Sequence, residues 1–179
     1  MLICGWIVIK DCVFTSVSCD NYIMPNLDSG DLKILRIIQE NCRLTAREIS
    51  DMTGLPVTTV FAKIKRIEKL GLITGYHAVL KARELGASTT AFIFASFAYK
   101  SEEKALSQRK VAREIASFPE VQEVHIISGE WDILIKVKAK DIDAVGKYVV
   151  DKLRLLRGIA KTLTCVAFHS EKESTTITI

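Results

Sequence analysis

No CxxC pair occurs in this chain, and its five cysteines (Cys4, Cys12, Cys19, Cys42 and Cys165) are an odd number. Neither a zinc site nor a disulfide framework is therefore indicated. The histidines, His77, His125 and His169, stand far apart without ligand spacing. No metal, no cofactor and no catalytic constellation is expected. Cys42 and Cys165 read as small buried hydrophobes in a reducing cytosol. Long apolar runs are missing too. The opening MLICGWIVIK falls far short of the roughly 20 residues that span a bilayer, and it lacks a basic start and a small-residue cleavage site. These absences speak for a cytoplasmic protein without a membrane partner.

What is present is globular: 179 residues, 49% apolar and 26% charged, enough for one domain or two small ones. The formal net charge is only +4, but it is unevenly placed. Leu55 to Arg83 holds six basic residues against Glu68 alone, so the rest of the chain is close to neutral. A basic segment on a neutral body points to a local polyanion contact. Residues 1–24 carry Cys4, Cys12 and Cys19, and no hydrophobic period joins them to the helical stretch beyond Pro25. Translation starting naturally at Met24 is the preferred reading; an extra strand or a flexible tail is the alternative.

Helical signals then come in quick succession over residues 25–75. Asp28 or Ser29 caps a first helix with Leu32, Ile34, Leu35 and Ile38 on a helical period, ending near Asn41 and Cys42. Thr45 with Glu48 forms a capping box for a second helix, whose Ile49 and Met52 turn inward. Gly54 stops it, because a left-handed residue is easiest for glycine. Pro56 opens a third helix, where a missing amide costs nothing, and Gly71 ends it. In that helix Val60, Ile64 and Ile67 line one stripe. Thr58, Thr59, Ala62, Lys63, Lys65, Arg66 and Lys69 occupy the outer arc, with Phe61 beside them. Two helices joined by a tight turn form a helix-turn-helix, whose second helix enters the DNA major groove. Thr58 and Thr59 lie at the end that reaches base edges. Lys63, Lys65, Arg66 and Lys69 stand further along, where phosphates or further bases would lie. Phe61 has two readings, contact with a thymine methyl or packing on the first helix.

Residues 76–88 read as a connector. The YHAVL run is a short strand leaving the helical unit, as wing or link, and Lys81 to Gly86 is the hinge. From Thr89 the period becomes strand-like. TTAFIFASFAY is a strand carrying Phe92, Phe94 and Phe97. A helix runs from about Glu102 to Ser117, with Val111, Ile115 and Phe118 inward. VQEVHIIS and WDILIKVKA are strands joined by a two-residue type II′ turn at Gly129 and Glu130. Ile142, Val145, Val149 and Leu153 line another helix, and IAKTLTCVAFH is the last strand. The order βαββαβ over residues 89–173 is ferredoxin-like, one sheet with both helices on one face, and 174–179 form a tail.

Taken together, LDSGDLKIL, LTAREIS, TGLPVTTVFAKIKRIEKLGLITGY, VQEVHIISGEWDILIKV and RGIAKTLT resemble the Lrp/AsnC family of transcription regulators, from Leu27 to about Lys172. The resemblance implies an α+β protein, an N-terminal winged helix-turn-helix followed by a ferredoxin-like (RAM-type) domain that senses a ligand and assembles. It implies double-stranded DNA as partner, an amino acid or related metabolite as effector, and a homodimer extending to tetramers or octamers. In such proteins the loop matching Gly129, Glu130 and Asp132 lies beside the effector pocket. A carboxylate at Asp132 would hold a ligand ammonium, and turn amides a ligand carboxylate; capping of the hairpin is the rival role for Asp132. Pro56 and Lys63 depart from the family's usual Ser and Arg, so base preference does not carry over. Two rival functions stand beside a ligand-modulated regulator. One is an enzyme resembling siroheme decarboxylases, in which only His125 could serve. The other is a ligand-binding assembly module without DNA function.

Overall fold

The computed structural model describes residues 25–98 and 106–179. The expected start at Met24 falls outside these residues; the helix expected from about Glu102 begins only at Gln108, with Ser107 as its N-cap. The described chain forms two units: residues 25–79 together with Lys172–Ile179, and the described part of Leu80–Glu171.

The first unit is built on α1 (Ser29–Glu40), α2 (Ala46–Thr53) and α3 (Val57–Lys69). Both expected capping signals form. Asp28 accepts the Asp31 N–H while Asp31 accepts the Asp28 N–H, and Thr45 and Glu48 repeat the exchange at α2. Gly54 ends α2 at φ 72°, in the left-handed region where a Cβ is unfavourable. α3 has no side-chain cap, because its N-cap is Pro56. Ile34, Ile49 and Val60 meet in the core, with Ile37, Ile38, Leu44, Ala46, Leu55 and Ile64 packed around them. Met52, expected inside, is exposed: one helical turn after Ile49 the α2 face has already left this small core. Cys42 is also exposed, since it lies in the turn beyond α1. Residues 72–80 form no strand, contrary to the expectation for YHAVL. Among the described residues that segment has no ladder partner, and Val79 and Leu80 stand exposed.

The C-terminal residues are not a loose appendage of the sheet. The Gln39 side chain donates to the Ile177 carbonyl (3.3 Å) and accepts the Ile177 N–H (2.9 Å), and Arg36 Nε donates to the Ile179 carbonyl (2.6 Å). Lys172–Ile179 thus belongs with the helical unit.

The second unit contains β1 (Thr89–Phe97), α4 (Gln108–Ala116), β2 (Val121–Ile126), β3 (Ile133–Ala139), α5 (Ile142–Asp151), a short 3-10 turn (Leu153–Leu155) and β4 (Ile159–Val166). All pairings are antiparallel in the order β2-β3-β1-β4, the ferredoxin-like arrangement. Strand alternation sends Ala91, Ile93, Ala95 and Phe97 of β1, and Ile133, Ile135, Val137 and Ala139 of β3, to one face. Val111 and Ile115 of α4 and Val145, Tyr148 and Val149 of α5 cover that face, and Leu153 completes the core. Ile142 does not join them. It is the first residue of α5, ahead of the turn that packs, and is 65% exposed.

Two local expectations fail for identifiable reasons. Cys165 is exposed because β4 presents it opposite Phe92, on the face the helices leave open. The β2–β3 link is not a two-residue turn but runs over 127–132. It closes through Ile127 N–H to the Asp132 carbonyl (2.9 Å), while Asp132 N–H bonds the Ala95 carbonyl (3.0 Å). Asp132 thereby bonds to the chain after β2 through its carbonyl and to β1 through its N–H.

Candidate nucleic-acid interface

α3 comes after α2 across Gly54, the helix-turn-helix connection, and the apolar stripe works as expected: Val60 and Ile67 are buried and Ile64 is half-buried. The opposite arc faces solvent. Thr58, Thr59, Ala62, Lys63 and Arg66 line one shallow depression of about 330 Å³. Lys65 and Lys69 flank it on exposed positions. Phe61 is 57% exposed, so it does not pack on α1, and Lys65 Nζ lies 5.9 Å from its ring centre. All seven residues expected to meet DNA therefore share the outer side of one helix.

Their charges are not equally available. Lys63 Nζ lies 2.5 Å from Asp28 Oδ2 and 3.1 Å from Asp31 Oδ1, and its side chain is only 16% exposed. Arg66 pairs with the fully buried Asp31 through Nη2 and is nearly half exposed. Lys65 pairs with Glu68 at 2.9 Å. Lys69 has no ion pair among the described residues. The Lys63 ammonium, with the Asp31 N–H, pulls the Asp28 carboxyl down from 3.8 to about 2; the Asp28 carboxylate in turn raises the Lys63 pKa, against a desolvation that lowers it. Glu68 is held below its ordinary value by Lys65 and by the Tyr76 hydroxyl, which donates to it at 3.0 Å. Sequence reasoning treated Asp28 as a cap only and missed Asp31. The signal was present as acidic residues three apart, but their second partners come from α3 and are far away in the chain.

In the second unit, Gly129 adopts φ 122° and, like Glu130, is exposed at the tip of the 127–132 loop. Asp132 sits at its base, where Oδ2 accepts the Phe97 N–H at 2.7 Å and the main-chain carbonyl accepts Gln108 Nε2 at 3.2 Å. The Asp132 side chain thus ties the base of the loop to the end of β1. His125 lies exposed in β2 with its ring 3.4 Å from Glu123 Oε2, and Lys136 Nζ donates to the other oxygen of that carboxylate at 3.0 Å. Among the described residues no cluster of His, Cys, Asp and Glu is placed to hold a metal ion, and no helix is long and apolar enough to cross a membrane.

Known proteins share both units. Residues 27–74 match the winged helix-turn-helix DNA-binding family, and residues 90–177 match the Lrp/AsnC ligand binding domain. An uncharacterized HTH-type transcriptional regulator of Pyrococcus abyssi is 41% identical over 147 residues, spanning 82% of this chain and 96% of the relative. The proline dehydrogenase transcriptional activator of Rhizobium radiobacter is 34% identical over 149 residues, 83% of this chain and 94% of its own. Among solved structures, a transcriptional regulator of Neisseria meningitidis in complex with L-Met superposes with a TM-score of 0.79 at 27% identity, over 86% of this chain and 97% of that one.

Proposed function

We propose a function from a plain premise: the chain belongs to the Lrp/AsnC family of ligand-modulated, DNA-binding transcriptional regulators. On that premise the outer face of α3 is the surface that reads DNA. Thr58 and Thr59 contact base edges, Ala62 permits close approach, and Lys63, Lys65, Arg66 and Lys69 border the phosphates. The observation that carries this reading is the depression formed by Thr58, Thr59, Ala62, Lys63 and Arg66 on the side of α3 away from its buried stripe. Selection of bound duplexes from random DNA tests it. A near-palindrome with half-sites about one helical turn apart, or a small multiple of that, is expected. Absence of any preferred sequence would favour the assembly-module reading.

A near-palindromic site implies a homodimer. The sheet face left open by α4 and α5 is the surface we assign to it. Phe94 lies between Leu134 and Leu163 in register, with the Trp131 ring 6.2 Å away, and Phe92 lies between Lys136 and Cys165. A Phe94→Glu variant should dissociate in light scattering; retention of the dimer would move the interface elsewhere. Assembly to tetramers or octamers would build on that dimer.

The effector is proposed to be an amino acid or a close relative, bound at the 127–132 loop. Gly129 and Glu130 face the ligand there, and Asp132 fixes the loop's shape through Phe97. The resemblance to a regulator solved with L-Met supports that chemical class. The protein is proposed to act in the cytoplasm and without catalysis of its own. A haem-like absorption band in the purified protein would instead favour the decarboxylase-like enzyme.

A further inference from the structure

Two cations of the α3 face, Lys63 and Arg66, are held by carboxylates at the start of α1, and the arrangement is tight. Asp28 gives one oxygen to the Asp31 N–H (2.9 Å) and the other to Lys63 Nζ (2.5 Å). Asp31, wholly buried, receives Lys63 Nζ (3.1 Å), the Asp28 N–H (2.9 Å) and Arg66 Nη2. Gly30, between them, makes room. A Cβ there would come within 3.1 Å of Asp28 Oδ1 and 3.3 Å of Lys63 Cε. Two carboxylates thus meet two cations, and the cluster is close to neutral.

This matters for discrimination between DNA sequences. Binding to any duplex grows with each phosphate that a free cation neutralises, and that contribution carries no sequence information. Specificity is the difference between site and non-site affinity, so withholding a cation from indiscriminate phosphate contact raises it. Lys63 is the withheld cation here: its ammonium is shielded and already paired twice, whereas Lys69 is open to solvent.

Resting on the assignment of the α3 face to DNA, we propose that Asp28 is a positioning residue for recognition. It holds Lys63 against the first turn of α1, keeps its charge out of non-specific phosphate binding, and leaves the threonine end of α3 to decide between sites. Asn and Ser are both good N-caps, so Asp28→Asn and Asp28→Ser keep the α1 cap while removing the charge. Asp28→Glu keeps the charge.

The test is the salt dependence of full-length protein binding to a random-sequence duplex. Asp28→Asn and Asp28→Ser should bind it more tightly than the parent and steepen the slope of log affinity against log salt by up to about 0.9, the share of one phosphate contact. Asp28→Glu should keep the parental slope. A mere loss of folding would weaken binding and could not steepen the slope. Lys69→Gln serves as the reference for the face itself and should flatten the slope by about 0.9. If Lys69→Gln flattens the slope but neither uncharged Asp28 variant steepens it, the DNA face stands and the role given to Asp28 is wrong. If no variant on α3 alters the slope, the face assignment fails and this proposal falls with it.

Discussion

The helical unit and the sheet unit divide fold and function in opposite ways. In the helical unit Ile34, Ile49 and Val60 form a small buried cluster, with Ile67 also buried, and an ionic layer of Asp28, Asp31, Lys63 and Arg66 ties α1 to α3. Lys63 and Arg66, which tie α3 to α1, therefore also belong to the surface assigned to DNA. The sheet unit buries a much larger set from Ala91 to Leu153 against α4 and α5, and leaves Phe92, Phe94, Leu134 and Leu163 for the opposite face. Strand alternation separates the packed face from the one assigned to assembly there. The lesson concerns mutagenesis: a change on α3 tests stability and recognition at once, whereas the two faces of the sheet can be altered one at a time.

The most severe break of this contrast is a core truncation in each unit. Ile49→Ala and Ile135→Ala should each cost on the order of 2–5 kcal/mol, as buried isoleucines do. In the thin helical core that loss should abolish DNA binding while sheet-unit amide protons stay protected from exchange. Ile135→Ala should lower protection across the sheet unit. Uniform loss of protection in both variants would mean that the units unfold as one.

A smaller effect is expected at the base of the 127–132 loop. Asp132→Ala removes the carboxylate that accepts the Phe97 N–H, and a hydrogen bond to a charged group contributes about 1.5–3 kcal/mol. Effector-dependent gel shift should show a weakened response with DNA binding retained, because the α3 face is untouched. An unchanged response would assign Asp132 to hairpin capping alone. Glu130→Gln, at the exposed tip, should alter effector affinity without changing the melting temperature.

The smallest effect is a pH dependence in the ionic layer. Asp28 has its folded pKa lowered to about 2, so its contribution is present above the ordinary value of 3.8 and is lost as pH falls toward 2. The stability difference between the parent and Asp28→Asn should accordingly shrink as pH falls from about 4 to 2.5 in thermal melts. A constant difference across that range would mean that the Asp28 charge is not what stabilises the parent.

Much of this was legible in the sequence because the deciding signals are local. Thr45 with Glu48, Gly54 and the Val60–Ile64–Ile67 stripe are each read within a turn or two of chain, and all formed as expected. Alternation in ILIKVKA picked out Ile133, Ile135 and Val137 as the packed face of β3, while the other face, which the alternation suggested is wet, is half-buried. What escaped depends on partners distant in sequence. The hairpin at Gly129 was read as a two-residue turn because nothing nearby reveals that Asp132 bonds to Phe97 of β1. Cys165 was placed inside on residue type, and only the strand register shows which face it takes. Lys63 looked like a free cation because Asp28 and Asp31 lie more than thirty residues earlier. The attachment of Ile177 to Gln39 joins residues near opposite ends of the described chain, and no short pattern announces it.

The central claim is that the outer face of α3 reads DNA, with its threonine end reading bases and its lysine end binding phosphate. The most direct measurement compares Thr58→Ala and Lys69→Gln for binding to a selected site and to random duplex across a salt series. Thr58→Ala should lose about 1–3 kcal/mol of discrimination with the salt slope unchanged. Lys69→Gln should keep its discrimination and flatten the slope by about 0.9. Parental discrimination and parental slope in both variants would contradict the claim and move the DNA surface off this helix.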